Sequence, residues 1–235
     1  MRAYLEETKL LNFSDEKIQE LINEKNWLAL NDYNKISEIY KFVRDDILFG
    51  YNKKDELQAS DVLRDGYGQC NTKGILLMAL FRSVGLPCRL HGFTINKELQ
   101  KGAMTGIIYR LAPENVVHSW VEVYFEGNWY NLEGFIIDQG YLSELQNKFS
   151  PTKTGSFCGY GVATDNFLNP KIEWQKNDTY IQKEGINQDF GVFNSPDDFF
   201  STYSQHLSPF KKVIYEMLAR KWMNKNVKKI RSNGK

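Results

Sequence analysis

The chain has 235 residues, 42% hydrophobic, 14% aromatic and 25% charged, and a net charge of +1. That is the profile of a soluble globular protein of one generous domain, with no general reason to bind nucleic acid or an acidic membrane. Three cysteines, Cys70, Cys88 and Cys158, are an odd number without C-x-x-C spacing, which argues against a disulfide framework or a zinc knuckle. The first residues lack the apolar run of a signal peptide, and no run is long enough to span a bilayer. The expectation is therefore a cytoplasmic protein with reduced thiols and no membrane partner.

Ser14, followed by Asp15 and Glu16, reads as a helix start, with Ile18, Leu21 and Ile22 on one face. Ile36, Ile39, Tyr40, Val43 and Ile47 recur at three- and four-residue intervals and predict a second helix ending before Phe49. A polar surface loop follows, then a short helical turn from Ser60 to Arg64. Next comes the glycine loop Asp65-Gly66-Tyr67-Gly68-Gln69, which delivers Cys70 to the start of another helix. Positions 75 to 81 of that helix are all apolar, so it should be buried on every side. Gly85 and Pro87 stop it.

Pro87 to Ile95 reads as a strand packed on that helix, and Met104 to Leu111 as another. Val116 to Phe125 is the strongest strand, with His118, Trp120, Glu122 and Tyr124 on one face and Ser119, Val121, Val123 and Phe125 on the other. After a turn at Glu126-Gly127-Asn128, Trp129 to Phe135 returns as its hairpin partner.

Beyond Gly140 the glycine-rich stretch Thr154 to Gly161 reads as a mobile loop or lid. It lacks the lysine and helix start of a phosphate-binding loop. Ser195-Pro196 and Ser208-Pro209 each place serine at a helix cap and proline at the first helical position. The last helix then carries Phe210, Val213, Ile214, Met217, Leu218 and Trp222 on its apolar side. From Lys211 to Lys235 nine Lys or Arg face one Glu, read as a solvated helix face and frayed terminus, so nucleic acid is not expected. The division this suggests is an N-terminal helical segment 1–34, a core 35–140 and a C-terminal extension 141–235, loops then helices, packed on that core.

Cys70 would face the positive end of the helix dipole, a position that favours thiolate over thiol. The plain alternative is a small buried hydrophobe. A thiolate needs a histidine brought close by the fold, and His118 opens the strongest strand. A third group usually orients the imidazole, and Glu133 on the returning strand is the natural candidate. A plain two-residue turn at Gly127-Asn128 would pair Glu133 with Glu122, roughly 13 Å from His118 at the usual strand rise. Glu133 then needs a wider loop or bulges to reach it, and Asp138 is the fallback acid. His91 and Trp120 could line the cleft. His206 reads as structural, and Cys88 and Cys158 as packing residues.

Gly-x-Cys at a buried helix start, then a strand opening His-x-Trp-Val-Glu-Val, then Trp129 with an acid four positions later, together resemble the transglutaminase-like superfamily over residues 35 to 140. The helix Ile36 to Ile47, the segment Ser60 to Arg64 and Arg82 to Phe93 share the likeness. The resemblance implies an α+β fold with a papain-like core, in which a buried central helix packs on an antiparallel β-sheet, plus C-terminal helices here. It assigns the nucleophile to Cys70, the general base to His118 and the orienting acid to Glu133.

It also implies acyl transfer on an amide- or peptide-containing substrate, through a thioester; no cofactor or metal is expected. The Cys70 N–H would be one oxyanion donor, and Gln69 the candidate for a second. Here the third position is glutamate where the family most often has aspartate, and Asn71 follows the cysteine where animal transglutaminases have tryptophan. Hydrolysis is therefore expected over protein cross-linking. A triad-bearing binding or scaffold protein, an amine-incorporating transglutaminase and a metal site of Cys70, His118 and His91 are the alternatives.

Overall fold

The computed structural model describes residues 1–149, 155–205 and 215–232. Its centre is helix α4, Cys70–Ser83, in which every residue from Cys70 to Arg82 is buried. The run Ile75 to Phe81 leaves no polar stripe to turn toward water, so the chain can only wrap this helix completely. Extended backbone at Gln69 starts it, with the Gln69 N–H donating to Thr72 Oγ1 at 3.0 Å. Gly85 ends it, in the left-handed conformation with φ +83°, while the Leu86 N–H reaches back to the Phe81 carbonyl at 2.9 Å.

Two cations are buried with α4. Lys73 Nζ donates to the carbonyls of Arg44 and Ile136, each at 3.0 Å. Arg82 donates to the carbonyls of Glu6 at 2.7 Å, Cys88 at 3.0 Å and Asn194.

On one side α4 is covered by α2 (Asp32–Asp45) and α3 (Ala59–Asp65), with α1 (Glu16–Glu24) outside them. Asp15, rather than Ser14, caps α1, its carboxylate accepting from Lys17 N–H at 3.0 Å. Two residues before α3 and two before α4 form a small parallel ladder, β1 (Leu48–Phe49) with β2 (Tyr67–Gly68).

On its other side α4 packs on a four-stranded antiparallel sheet in the order β5-β4-β3-β8. The strands are β3 (Cys88–Asn96), β4 (Asn115–Phe125), β5 (Asn128–Leu132) and β8 (Ile186–Phe193). Val121 and Val123, on the face read as apolar, are fully buried. Mixed helix and antiparallel sheet is the expected fold class. The last strand comes from the C-terminal extension, so part of that extension belongs to the central sheet. Gly92 of β3 admits the ring of Phe199, which lies 2.3 Å from where a Cβ would stand.

Met104 to Leu111 is not a strand. Gly106–Leu111 forms a short exposed helix, α5, entered through Gly106 at φ +59°. The physical reason is topological: β3 lies between β4 and β8, and β4 between β3 and β5. Neither strand has an edge left for the segment that joins them.

The glycine-rich stretch, from residue 155 on, is a hairpin of β6 (Phe157–Gly159) and β7 (Val162–Thr164). Cys158 is exposed on it and not packed, whereas Cys88 is buried in the core. Helix α6 (Gln139–Lys148) precedes the hairpin, and α7 (Pro196–Thr202) follows β8 with Ser195 as its cap.

Chain end and core meet through α8, Arg220–Ser232, entered by a π-helical turn at Tyr215–Ala219. Its buried stripe is Ala219, Met223, Val227 and Ile230, while Leu218 and Trp222 are exposed. The wider π turn offsets the helical register, and the stripe that faces α6 is not the one read from Leu218 and Trp222. Asn224 grips the backbone of Tyr51 from both sides, at 2.8 and 3.0 Å. Ser208-Pro209, Phe210, Val213, Ile214, the side chain of Met217 and His206 lie outside the described residues. Among the described residues no helix is long and apolar enough to cross a membrane.

Candidate active site

Cys70 is the first residue of α4, with its N–H ahead of the first intrahelical acceptor. His118 lies on β4 and is wholly buried. The residues beside them hold the two elements together. Asn71 Nδ2 donates to the Val117 carbonyl at 3.2 Å, and Asn71 Oδ1 accepts from Ser119 Oγ at 2.8 Å. The neighbour of the cysteine is thus bonded to both neighbours of the histidine, which sets the spacing of the cysteine helix and the histidine strand.

The hairpin register is not the one a Gly127-Asn128 turn would make. Phe125 pairs with Asn128 and Val121 with Leu132, so the loop is Glu126-Gly127, with φ +47° and +86°. Positive φ at both positions is the geometry of a tight hairpin whose twist suits its strands. Continuing the register puts Glu133 opposite Trp120, two residues from His118 on the same face. Such a diagonal neighbour is about 7–8 Å away between Cα atoms, within reach of a long side chain. Glu133 Oε1 lies 3.0 Å from His118 Nε2, with no wide loop or bulge in this hairpin. The glutamate side chain, one methylene longer than aspartate, serves that diagonal reach.

Asp138 is engaged elsewhere. Its carboxylate caps α6 at the Tyr141 N–H (2.9 Å), accepts from the Phe49 N–H (2.8 Å) and pairs with Arg231.

His118 Nδ1 is buried and makes no hydrogen bond of regular geometry, and Cys70 is its electrostatic partner. Burial alone would depress the imidazole. The charge and hydrogen-bonding influence of Cys70, with Glu133 on the far side of the ring, overcome it and raise the pKa to about 9. That arrangement can hold an imidazolium between a thiolate and a carboxylate. The site is closed: Cys70 is 8% exposed, and His118 and Glu133 are 0% exposed.

The polar groups of the remaining sequence candidates are engaged by other partners. Gln69 Oε1 accepts from the Asn52 N–H at 2.8 Å and its Nε2 donates to Asp55 at 3.0 Å, so its amide ties the 52–55 loop to the helix start. His91 is held between Glu122 (2.8 Å) and Asp189 (2.9 Å). Both ring nitrogens are engaged, and Phe93 and Trp120 stand between it and His118. Trp120 donates its indole N–H to Asn131 Oδ1 at 3.0 Å. Among the described residues no three His, Cys, Asp or Glu side chains are grouped to hold a metal ion.

Sequence reasoning missed what stands behind Glu133. Its second oxygen, Oε2, accepts from the backbone N–H groups of Ile181 (2.8 Å) and Gln182 (2.9 Å). These belong to a segment almost fifty residues further along. The only local signal is a short run of strand-favouring residues, Thr179-Tyr180-Ile181, which says nothing about its partner. Asp55 was missed as well: it is bonded to Gln69, just ahead of Cys70, and burial raises its carboxyl above the usual range.

Residues 21–134 match the family model of the transglutaminase-like superfamily. Among curated proteins, "Uncharacterized protein YebA" of Bacillus subtilis (strain 168) is 35% identical over 88 residues, 37% of this chain. The match spans only 11% of that protein's length. Two solved structures are similar at lower identity. "A Putative Cysteine Protease from Cytophaga hutchinsonii" aligns with TM-score 0.41 and 20% identity, over 55% of this chain and 40% of that one. A "putative protease" from Parabacteroides distasonis ATCC 8503 aligns with TM-score 0.35 and 15% identity, over 55% and 25%. Over residues 21–134, just under half of its length and the part that holds Cys70, His118 and Glu133, this chain is similar to the transglutaminase-like superfamily.

Proposed function

We propose that this protein is a cysteine-dependent acyl-transfer enzyme that hydrolyses an amide or peptide bond through a thioester. The observation that carries the reading is the buried His118, bonded to Glu133 at 3.0 Å through Nε2 and coupled to Cys70 on its other side. In this reading the Cys70 thiolate attacks the substrate carbonyl carbon, and the Cys70 N–H donates to the developing oxyanion. As the C–N bond breaks, His118 gives its proton to the leaving amine. Water then attacks the thioester, His118 takes a proton from it, and the thiolate leaves. Glu133 keeps the ring oriented throughout. No step requires a cofactor. The working unit is the core 35–140 together with the extension 141–235, which supplies β8 and the donors to Glu133.

Because the thiol is nearly covered, its outer layer must open for a substrate to reach it. A binding or scaffold role would need no such opening. The test is profiling of a peptide and amide library with wild type and Cys70→Ala, scoring hydrolysis and amine incorporation together. Hydrolysis that Cys70→Ala abolishes while keeping the fold supports the proposal, as does iodoacetamide labelling of Cys70 ahead of Cys88. Amine incorporation without hydrolysis would make it a transglutaminase, and turnover undiminished in Cys70→Ala would overturn the mechanism.

A further inference from the structure

Glu133 stands one residue past the end of β5, where a strand no longer holds it. Its environment is supplied by the segment Asp178 to Gln182, which lies beyond the part of the chain that matches the family. Asp178 accepts from the Asn131 N–H at 2.8 Å and from Asn131 Nδ2 at 3.1 Å. The Thr179 N–H donates to the Asn131 carbonyl at 2.9 Å, and the Glu133 N–H returns to the Thr179 carbonyl at 3.0 Å.

This is a short parallel pairing, Leu132 with Thr179, that extends β5 by a foreign strap. The Thr179 hydroxyl then accepts from both the Glu133 N–H (3.2 Å) and the Gly134 N–H (3.1 Å). Two residues further on, Ile181 and Gln182 donate to Glu133 Oε2. Backbone and carboxylate of the same glutamate are therefore gripped by one five-residue strap.

The strap is itself anchored. The Ala163 N–H donates to the Ile181 carbonyl at 2.9 Å, the Gln182 amide bonds the Gly161 carbonyl, and Thr179 is fully buried. Gly134 allows the close approach at this point, because a Cβ there would stand 2.5 Å from the Tyr40 hydroxyl and 2.8 Å from Ile172 Cα.

We infer that the strap Asp178–Gln182 is a positioning element of the candidate active site, and that Thr179 is a positioning residue acting through Glu133 on His118. A glutamate reaching diagonally across a hairpin has more rotatable bonds than a directly opposed aspartate. Three donors to its carboxylate and three bonds to the two N–H groups at its base remove that freedom. Preorganisation of this kind matters because small displacements of a supporting group are amplified in turnover. The inference rests on the function proposed above, but its test has a readout independent of turnover.

That test compares wild type, Thr179→Val and Thr179→Ser, with circular dichroism and thermal melting to establish folding. The His118 ring is followed by NMR in isotopically labelled protein through a pH titration. In Thr179→Val the His118 midpoint should move to lower pH by about half a unit or more, as Glu133 supports the imidazolium less well. With a substrate in hand, kcat should fall roughly tenfold at little change in KM. Thr179→Ser keeps the hydroxyl and should behave as wild type in both. A folded Thr179→Val with the wild-type midpoint overturns the inference, whether or not the protein turns over. So does an equal shift in Thr179→Ser. Should Thr179→Val fail to fold, Thr179→Ala is titrated under the same criteria. A shifted midpoint in a protein with no turnover on any substrate leaves the positioning role standing and counts only against the enzymatic reading.

Discussion

The ordering of influences on His118 gives the sharpest prediction. Its ordinary value of 6.5 is lowered by burial and then lifted to about 9, with Cys70 the largest upward influence and Glu133 the next. The net rise corresponds to roughly 3 kcal/mol favouring the protonated folded form. Because the folded value lies above the unfolded one, that contribution is complete below about pH 6.5 and is lost as pH rises through about 9.

Removing the sulfur in Cys70→Ala leaves burial opposed only by Glu133, and the His118 midpoint should fall by about 1–2 pH units. Removing the acid's charge in Glu133→Gln should lower it by less. NMR titration of the His118 ring in the two variants measures both. A midpoint that stays near 9 in Cys70→Ala, or a larger drop in Glu133→Gln than in Cys70→Ala, would refute the Cys70–His118 pairing. In the proposed mechanism the wild-type alkaline limb of turnover should lie near pH 9, where His118 loses its proton.

Two further outcomes follow from buried groups near the site. Asn71→Ala removes both bonds that tie the residue after Cys70 to the neighbours of His118. It should cost about 1–3 kcal/mol of stability by denaturant unfolding and lower kcat by roughly a hundredfold, whereas the more distant Ser201→Ala should change neither. Lys73 is buried on two carbonyls, and burial lowers it from 10.5 to about 7. Since its folded value lies below the unfolded one, the penalty is complete below about pH 7 and fades as pH rises toward 10.5, reaching roughly 5 kcal/mol at most. Lys73→Met should therefore be more favourable to stability at pH 6 than at pH 10, by more than about 1 kcal/mol in paired unfolding curves. An equal effect at both pH values would contradict the assignment.

Much of the fold is legible residue by residue. The apolar run Ile75 to Phe81 marks a buried helix, and the residues from Val116 to Phe125 mark a strand, which the structure covers on both faces from Val117 to Val123. The order Cys70, His118, Glu133 carries the family, and the match over residues 21–134 agrees with it. Met104 to Leu111 misled because apolar content alone does not tell a strand from a connection. The sheet had no free edge there. Leu218 and Trp222 misled because a π turn changes the face a helix presents.

The amino-acid order by itself determined the central helix, the thiol at its start and the strand that bears His118, and left Glu133 and Asp138 as the two candidate acids. Tertiary structure alone decided how Glu133 reaches His118. A hairpin loop of two positive-φ residues set the register, and a strap from residues 178–182 closed on the glutamate from far along the chain. Bonds of that kind form between segments whose sequences carry no record of each other. They exist only once packing has brought a backbone N–H within reach of a carboxylate that needs it.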